Sequence, residues 1–222
     1  TSGIKAFRGA TTPTHPALRE RLGREFKVLP TYHPSAIARD WTLRPVALSD
    51  LDKARDEAGF AEVVRPSRKI WLRPTLEDLA RYEQDFILPA TRLSIDIETK
   101  GDQITCIGFA PSVASAIVIP FYCGRERDGN YWREHSEEMV AWDFVRRWCQ
   151  LKPVVGQNFC YDAHFLWRRY GITIPQMAHD SMLLHHAMQP EMEKSLGFLA
   201  TLYSNEASWK FMSKSATNRK ED

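Results

Sequence analysis

Leu93-Ser94-Ile95-Asp96-Ile97-Glu98-Thr99 is the stretch whose reading decides the fold. In a strand, successive side chains point to opposite faces, so Leu93, Ile95 and Ile97 face one way and Asp96 and Glu98 the other. Two carboxylates roughly 7 Å apart on one face repel, and each raises the other's pKa unless a cation lies between them. Hard oxygen ligands on a rigid strand suit Mg²⁺ or Mn²⁺. The alternative is an edge strand with a solvated face, and this segment alone does not separate the two.

Outward from that stretch the pattern is of strands, then of helices. Arg92–Thr99, Ile104–Phe109 and Ser115–Tyr122 are β-branched runs separated by turn signals, which predict an antiparallel meander. Ser136–Leu151 reads as a helix with Val140, Phe144 and Trp148 at every fourth position. Pro153–Gln157 is a short buried strand running into a helix, about Phe159–Tyr170, that Gly171 stops. Two more helices are expected near Asp180–Met188 and Ser195–Tyr203, and Lys214–Asp222 reads as a polar loop. Strands followed by strand–helix alternation predict an α/β fold with a mixed central sheet.

Before residue 88 the signals are weaker. Phe26–Pro30 reads as a short strand and Ser49–Ala58 as a helix capped at Ser49 or Asp50. Pro66, Pro74 and the basic residues between them read as a connector. Thr75–Asp85 reads as a short amphipathic helix opened by a Thr75–Asp78 capping box. The expected division is a small N-terminal α/β segment over 1–65, connector and helix over 66–87, and the main domain over 88–222.

A second acid bears on the carboxylate pair. Gly156-Gln157-Asn158-Phe159-Cys160-Tyr161-Asp162 joins the buried strand to its helix and puts Asp162 in the first turn, where the helix dipole favours negative charge. Phe165, Leu166 and Arg169 follow at +3, +4 and +7, so Asp162 lies on the stripe that faces the core. An acid there wants a partner, and a metal shared with Asp96 and Glu98 supplies one. A plain capping role for Asp162 is the alternative.

Composition sets outer bounds. The chain has 222 residues, 43% hydrophobic and 26% charged, with a net charge of +2, as in ordinary globular proteins. No apolar run reaches the ~18–20 residues of a membrane span, so no membrane partner is expected. Cys106, Cys123, Cys149 and Cys160 are spaced too irregularly for a zinc site or disulfide framework, and a cytoplasmic location, in a bacterial or virus-infected cell, is the expectation. The chain begins at Thr1 rather than Met, as expected of a piece of something longer. Residues 1–39 carry seven Lys or Arg against Glu20 and Glu25, which fits either phosphate contact or a solvated surface.

Asp96-Ile97-Glu98-Thr99 on a first strand, followed about sixty residues later by Asn158-x-x-Tyr161-Asp162, resembles the DEDD superfamily of 3′–5′ exonucleases. The likeness is greatest to the proofreading domain of family-A DNA polymerases, which has an RNase H-like fold. It extends to His179–Leu184 and Ser195–Tyr203, similar to that family's later helices. The resemblance implies two-metal hydrolysis of DNA with two Mg²⁺ or Mn²⁺ ions, releasing 5′-mononucleotides. Asp96 would bridge both ions, Glu98 would bind one and help place the attacking water, and Asp162 would complete the second site. Thr99 and Asn158 would lie beside the 3′-terminal nucleotide, with Phe159 or Leu166 packed on its base or sugar. The implied partner is single-stranded DNA or a primer 3′ end, with a polymerase domain in the same polypeptide.

The resemblance also implies a fourth acid, with Tyr or His four residues before it. After residue 196 the acids are Glu206, Glu221 and Asp222, and none has Tyr or His at that position. Asp180 has Gln176 there and is expected to start a helix. The expectation is a chain cut short of the fourth ligand, with little nuclease activity of its own.

Residues 3–58, with Arg8-Gly9, Val28–Ala36 and Ala38-Arg39, resemble the C-terminal part of bacterial-type uracil-DNA glycosylases. That likeness implies that His33 and Ser35 contact DNA, although the glycosylase's earlier motifs have no counterpart. A turn histidine in a helper domain is the alternative for His33. Adjacent His185 and His186 point about 100° apart on a helix and cannot serve one metal. Trp142, Trp148 and Trp167 fall on helices and read as core or domain-contact residues; Arg168 and Arg169 read as a solvated helix face, with phosphate contact the alternative. Three readings remain: an exonuclease, a catalytically dead nucleic-acid-binding module, and a fragment of a glycosylase fusion.

Overall fold

The computed structural model describes residues 3–124 and 129–206. The expected loop at Lys214–Asp222, with Glu221 and Asp222, lies outside these residues. The chain divides into two compact units, one holding the residues up to Arg65 with those from His185 onward, the other Pro66–Leu184.

The first unit begins with strand β1 (Thr12–Pro13), helix α1 (Pro16–Leu22), strand β2 (Lys27–Val28) and helices α2 (Pro34–Arg39) and α3 (Arg44–Glu57). β1 and β2 form a small antiparallel ladder, Thr12 opposite Val28. The helix expected from Ser49 instead starts at Arg44, with Pro45 in its first turn, where a missing N–H costs nothing. Asp50 is therefore not a cap; it is 1% exposed in mid-helix and paired with Arg8.

The second unit holds β3 (Lys69–Leu72), α4 (Leu76–Tyr82), β4 (Leu93–Lys100), β5 (Gln103–Ser112), β6 (Ser115–Pro120), α5 (His135–Leu151), β7 (Val154–Gly156), α6 (Cys160–Tyr170) and β8 (Met177–Asp180). α7 (Ser181–Met188) crosses the division between the units, and α8 (Leu196–Tyr203) belongs to the first. The Thr75–Asp78 capping box is present at the start of α4.

Six strands form one mixed sheet in the order β3-β6-β5-β4-β7-β8. β4, β5 and β6 are the expected antiparallel meander, while β3 runs parallel to β6, β7 to β4 and β8 to β7. This is the mixed α/β sheet expected of an RNase H-like fold. Two strands were not legible. β3 lies in the presumed connector, and β8 is a four-residue edge strand whose exposed Met177 and His179 break the apolar signal.

Alternation on β4 is as expected. Leu93, Ile95 and Ile97 are buried, and Ser94, Asp96 and Glu98 are exposed. Register extends the buried row across the sheet: Ile95 opposes Phe109, which opposes Ile117, and Ile97 opposes Ile107, which opposes Ile119. Ala141, Phe144, Val145, Trp148 and Cys149 of α5 belong to the same core. Val140, expected in that stripe, is instead 51% exposed; the inward face of α5 is centred one residue further on. Among the described residues no helix is long and apolar enough to cross a membrane.

Candidate active site

β4 outruns its parallel neighbour. Its ladder with β7 holds only Leu93 opposite Val154 and Ser94 opposite Val155, while β4 continues to Lys100. A backbone N–H beyond that point needs a partner from elsewhere. Asp162 supplies it: its Oδ1 accepts from the Ile97 N–H at 3.0 Å. Ile97 stands between Asp96 and Glu98, so the third acid is anchored at the midpoint of the pair. β4 leads to β5 on one side and β7 through α6 to β8 on the other. The acids thus lie at the carboxyl ends of two parallel strands whose connections diverge, where open α/β sheets bind ligands.

Asp162 is 6% exposed. Its carboxyl is pushed up to about 6, chiefly by burial, with the Asp96 and Glu98 charges adding to the rise and the Ile97 hydrogen bond opposing it. Cys106 lies opposite Glu98 in the ladder. Its thiol is pushed up chiefly by burial, against a Thr105 hydrogen bond, with the Glu98 and Asp96 carboxylates adding to the rise. The β4–β5 register slips between Glu98 and Thr99, an irregularity that re-aims the side chains beyond it.

The turn before α6 is held by a further acid. Asp180 is 7% exposed. Its carboxylate accepts from the Asn158 N–H at 3.1 Å, the Phe159 N–H at 2.8 Å and the Met182 N–H at 2.8 Å. It therefore starts α7, as expected, and also fixes the turn that delivers Asp162. Asn158 sits at φ 54°, a left-handed state that asparagine tolerates better than most residues.

The structure leaves Thr99 and Asn158 accessible and corrects two other contacts. Thr99 is partly exposed, with its Oγ1 3.0 Å from the Tyr161 hydroxyl, and Asn158 is exposed. Phe159 and Leu166 are fully buried and cannot pack on a nucleotide. Phe159 turns inward over Gly156, where a Cβ would come within 2.3 Å of its ring. Leu166 lies one helical turn after Asp162 on the same inward stripe. Trp167, expected in a core or contact role, is 58% exposed, whereas Trp148 is buried and Trp142 partly so. Tyr161, Asp180 and Cys106 were not singled out from the sequence as site residues. Tyr161 and Asp180 had a signal in their motifs, and Cys106 is placed by strand register alone.

In the first unit, His33 caps α2, its Nδ1 accepting from the Ser35 N–H at 3.1 Å and lying 2.8 Å from the Ser35 hydroxyl. Both residues are exposed. His185 is buried and His186 exposed, as their angular separation requires.

The donor set fits a hard divalent cation in kind: three carboxylates, one buried and destabilised by the charge of the other two. Closure is not reached, because among the described residues no three His, Cys, Asp or Glu side chains are drawn together as a metal-holding group.

No protein-family model matches the chain, and no curated protein matches it. Solved structures similar to it include an EXD2 exonuclease domain soaked in Mn and GMP, at 16% identity and TM-score 0.38, covering 60% of this chain and 68% of that one. Brucella melitensis NrnC is similar at 14% identity and TM-score 0.40, covering 64% of this chain and 62% of that one. The Aedes aegypti Nibbler EXO domain is similar at 13% identity and TM-score 0.46, covering 68% of this chain and 77% of that one. Likeness at this level decides neither family nor activity.

Proposed function

We propose that the second unit is a 3′–5′ exonuclease domain that removes 5′-mononucleotides from single-stranded DNA ends with Mg²⁺ or Mn²⁺. The observation that carries this reading is the Asp162 carboxylate, hydrogen-bonded to the Ile97 N–H between Asp96 and Glu98. Asp96, Glu98 and Asp162 would hold the cation. Bound there, it would lower the pKa of a water and offset charge building on the phosphate.

The chain's own residues account for the rest. Glu98 would accept a proton from the attacking water. The water oxygen bonds to the terminal phosphorus while the bond to the 3′-oxygen of the preceding nucleotide breaks, and that oxygen takes up a proton. Thr99 and Tyr161, joined by their hydroxyls, offer a polar edge to the terminal sugar, and Asn158 offers an exposed amide. The His33–Pro34–Ser35 turn of the first unit is included in this reading as a contact to the strand.

The test is release of 5′-mononucleotide from 3′-labelled single-stranded DNA in Mn²⁺ and in EDTA. Slow, Mn²⁺-dependent release that disappears in Asp96→Asn and Asp162→Asn is expected, because three acids hold one ion better than two. Release that survives both substitutions would overturn the assignment. Among the described residues no three acidic side chains close into a metal-holding group, which supports a second reading, a nucleic-acid-binding module without hydrolysis. Strand binding of equal strength in Mn²⁺ and EDTA, with no product, selects that one.

A further inference from the structure

β3 ends the sheet on the side away from β8, and among the described residues its one neighbour there is β6. The Lys69 N–H donates to the Ala114 carbonyl at 2.9 Å. Along a parallel ladder alternate residues turn their N–H and C=O to the neighbouring strand. Lys69 and Trp71 therefore face β6, while Ile70 and Leu72 turn their backbone groups outward. Among the described residues no hydrogen bond takes up those outward groups. Ile70 is 55% exposed and Leu72 67%. An open backbone edge beside exposed apolar side chains is a template for another strand, which proteins usually blunt with proline, charge or a covering element. No proline falls within Lys69–Leu72.

The two faces of β3 differ. Trp71 turns to the core, edge-on to Tyr82 and Phe86 with ring centroids 5.6 and 6.3 Å away. Ile70 and Leu72 alternate to the other face, beside Ala116 and Val118 of β6, both partly exposed. Charge along the edge is of one sign: Pro66–Thr75 holds Arg68, Lys69 and Arg73, all exposed, and no acid. Arg68 donates to the Val113 carbonyl at 3.2 Å. Among the described residues no carboxylate is ion-paired with Lys69 or Arg73. That charge decides between occupants. A second copy, paired antiparallel about Trp71, would match Ile70 with Leu72 but set Lys69 of one copy against Arg73 of the other. Like charges directly opposite destabilise a ladder. A strand with acids at both ends meets the reverse condition.

We propose that the open edge of β3 binds an extended acidic segment of a partner protein, added antiparallel as a further strand of the sheet. Its pattern is acid, apolar, any residue, apolar, acid. The two apolar residues lie opposite Ile70 and Leu72, exchange N–H and C=O bonds with them, and continue the apolar row that runs through Ala116 and Val118. The acids fall near Lys69 and Arg73. Main-chain bonds supply the attachment and alternate side chains the selectivity. The surface belongs wholly to the second unit and does not depend on the nuclease reading.

Fluorescence anisotropy of a labelled peptide carrying Glu-Val-Thr-Val-Glu, titrated with the full chain at low salt, tests it. Saturable binding is expected, at least about tenfold tighter than that of the same peptide with lysine in place of both glutamates. Methylating the two valine amide nitrogens should abolish binding, because those N–H groups point at β3; attraction by charge alone would survive it. Leu72→Glu should lose about tenfold or more in affinity, and the exposure of Leu72 separates lost binding from lost folding. Lys69→Glu should weaken the acidic peptide and strengthen the lysine one. No saturable binding, equal binding of the methylated peptide, or affinities unchanged in both variants overturns the proposal. Sedimentation showing a dimer of the chain that Leu72→Glu dissociates would assign the edge to a second copy and overturn it equally.

Discussion

Asp162 is the residue whose energetics set it apart from a capping aspartate. An acid whose folded pKa lies above its unfolded one binds more protons in the native state between those values. Its contribution to stability therefore falls as pH rises from 3.8 toward about 6, and the cost is complete above that. The shift corresponds to roughly 3 kcal/mol at neutral pH. Asp162→Asn keeps an acceptor for the Ile97 N–H and removes the charge. We expect this variant to be more stable than the parent at pH 8, by up to roughly 3 kcal/mol, and to show no gain at pH 4. Thermal unfolding at the two pH values measures this. Mn²⁺ should raise the parent's transition temperature above pH 6, much less below it, and not at all in the variant. A stability gain equal at both pH values would mean that the charge is not the cause. At this scale the sequence was informative about direction: alternation placed Asp96 and Glu98 on one face, and the helical stripe turned Asp162 inward. It was uninformative about Phe159, because its inward rotation depends on the missing side chain at Gly156.

The element that builds the site is the turn from β7 to α6. β7 is short, so β4 keeps an unpaired edge, and the turn must bring an acceptor to it. Gly156 leaves room for the Phe159 ring, Asn158 takes the left-handed turn, and Asp180 from the end of β8 holds the Asn158 and Phe159 N–H groups. Gly156→Ala should overpack this turn and cost about 1–3 kcal/mol or more. Phe159→Ala should cost roughly 3–5 kcal/mol, as a core residue does. Urea unfolding midpoints check both. A near-neutral Phe159→Ala would restore that side chain to the surface, where the resemblance had placed it. The two parts of this device differ in legibility. The strand, turn and helix were evident from Pro153–Gln157, Gly171 and the apolar spacing. The Asp180 contact joins residues more than twenty positions apart through a parallel strand pair, and no local pattern encodes such a pairing.

Across the whole molecule, the described residues from His185 onward fold with the N-terminal segment, and the divisions fall after Arg65 and before His185. The reason is polar. Arg8, 1% exposed, pairs with the Asp50 carboxylate and donates to the Thr201 hydroxyl at 3.1 Å. Lys53 donates to the Gly9, Thr201 and Ser204 carbonyls at 2.9, 2.6 and 2.7 Å. Arg8→Ala leaves a buried carboxylate without its ion pair and should cost roughly 3–5 kcal/mol. The double change Arg8→Met with Asp50→Leu should cost far less, since an apolar pair can replace a buried ion pair. Denaturant unfolding of both variants is the check, and a double variant as unstable as the single one would assign the effect to shape rather than charge. The sequence by itself determined the meander, the helices after it, the face carrying Asp96 and Glu98, and the inward turn of Asp162, because periodicity and capping are local. Only the tertiary structure decided that β3 and β8 extend the sheet, that Asp162 reaches the Ile97 N–H, and that α8 joins Arg8 and Lys53. Those depend on strand pairing and buried charge between distant segments, where a single side chain finds its partner only after the chain has closed on itself.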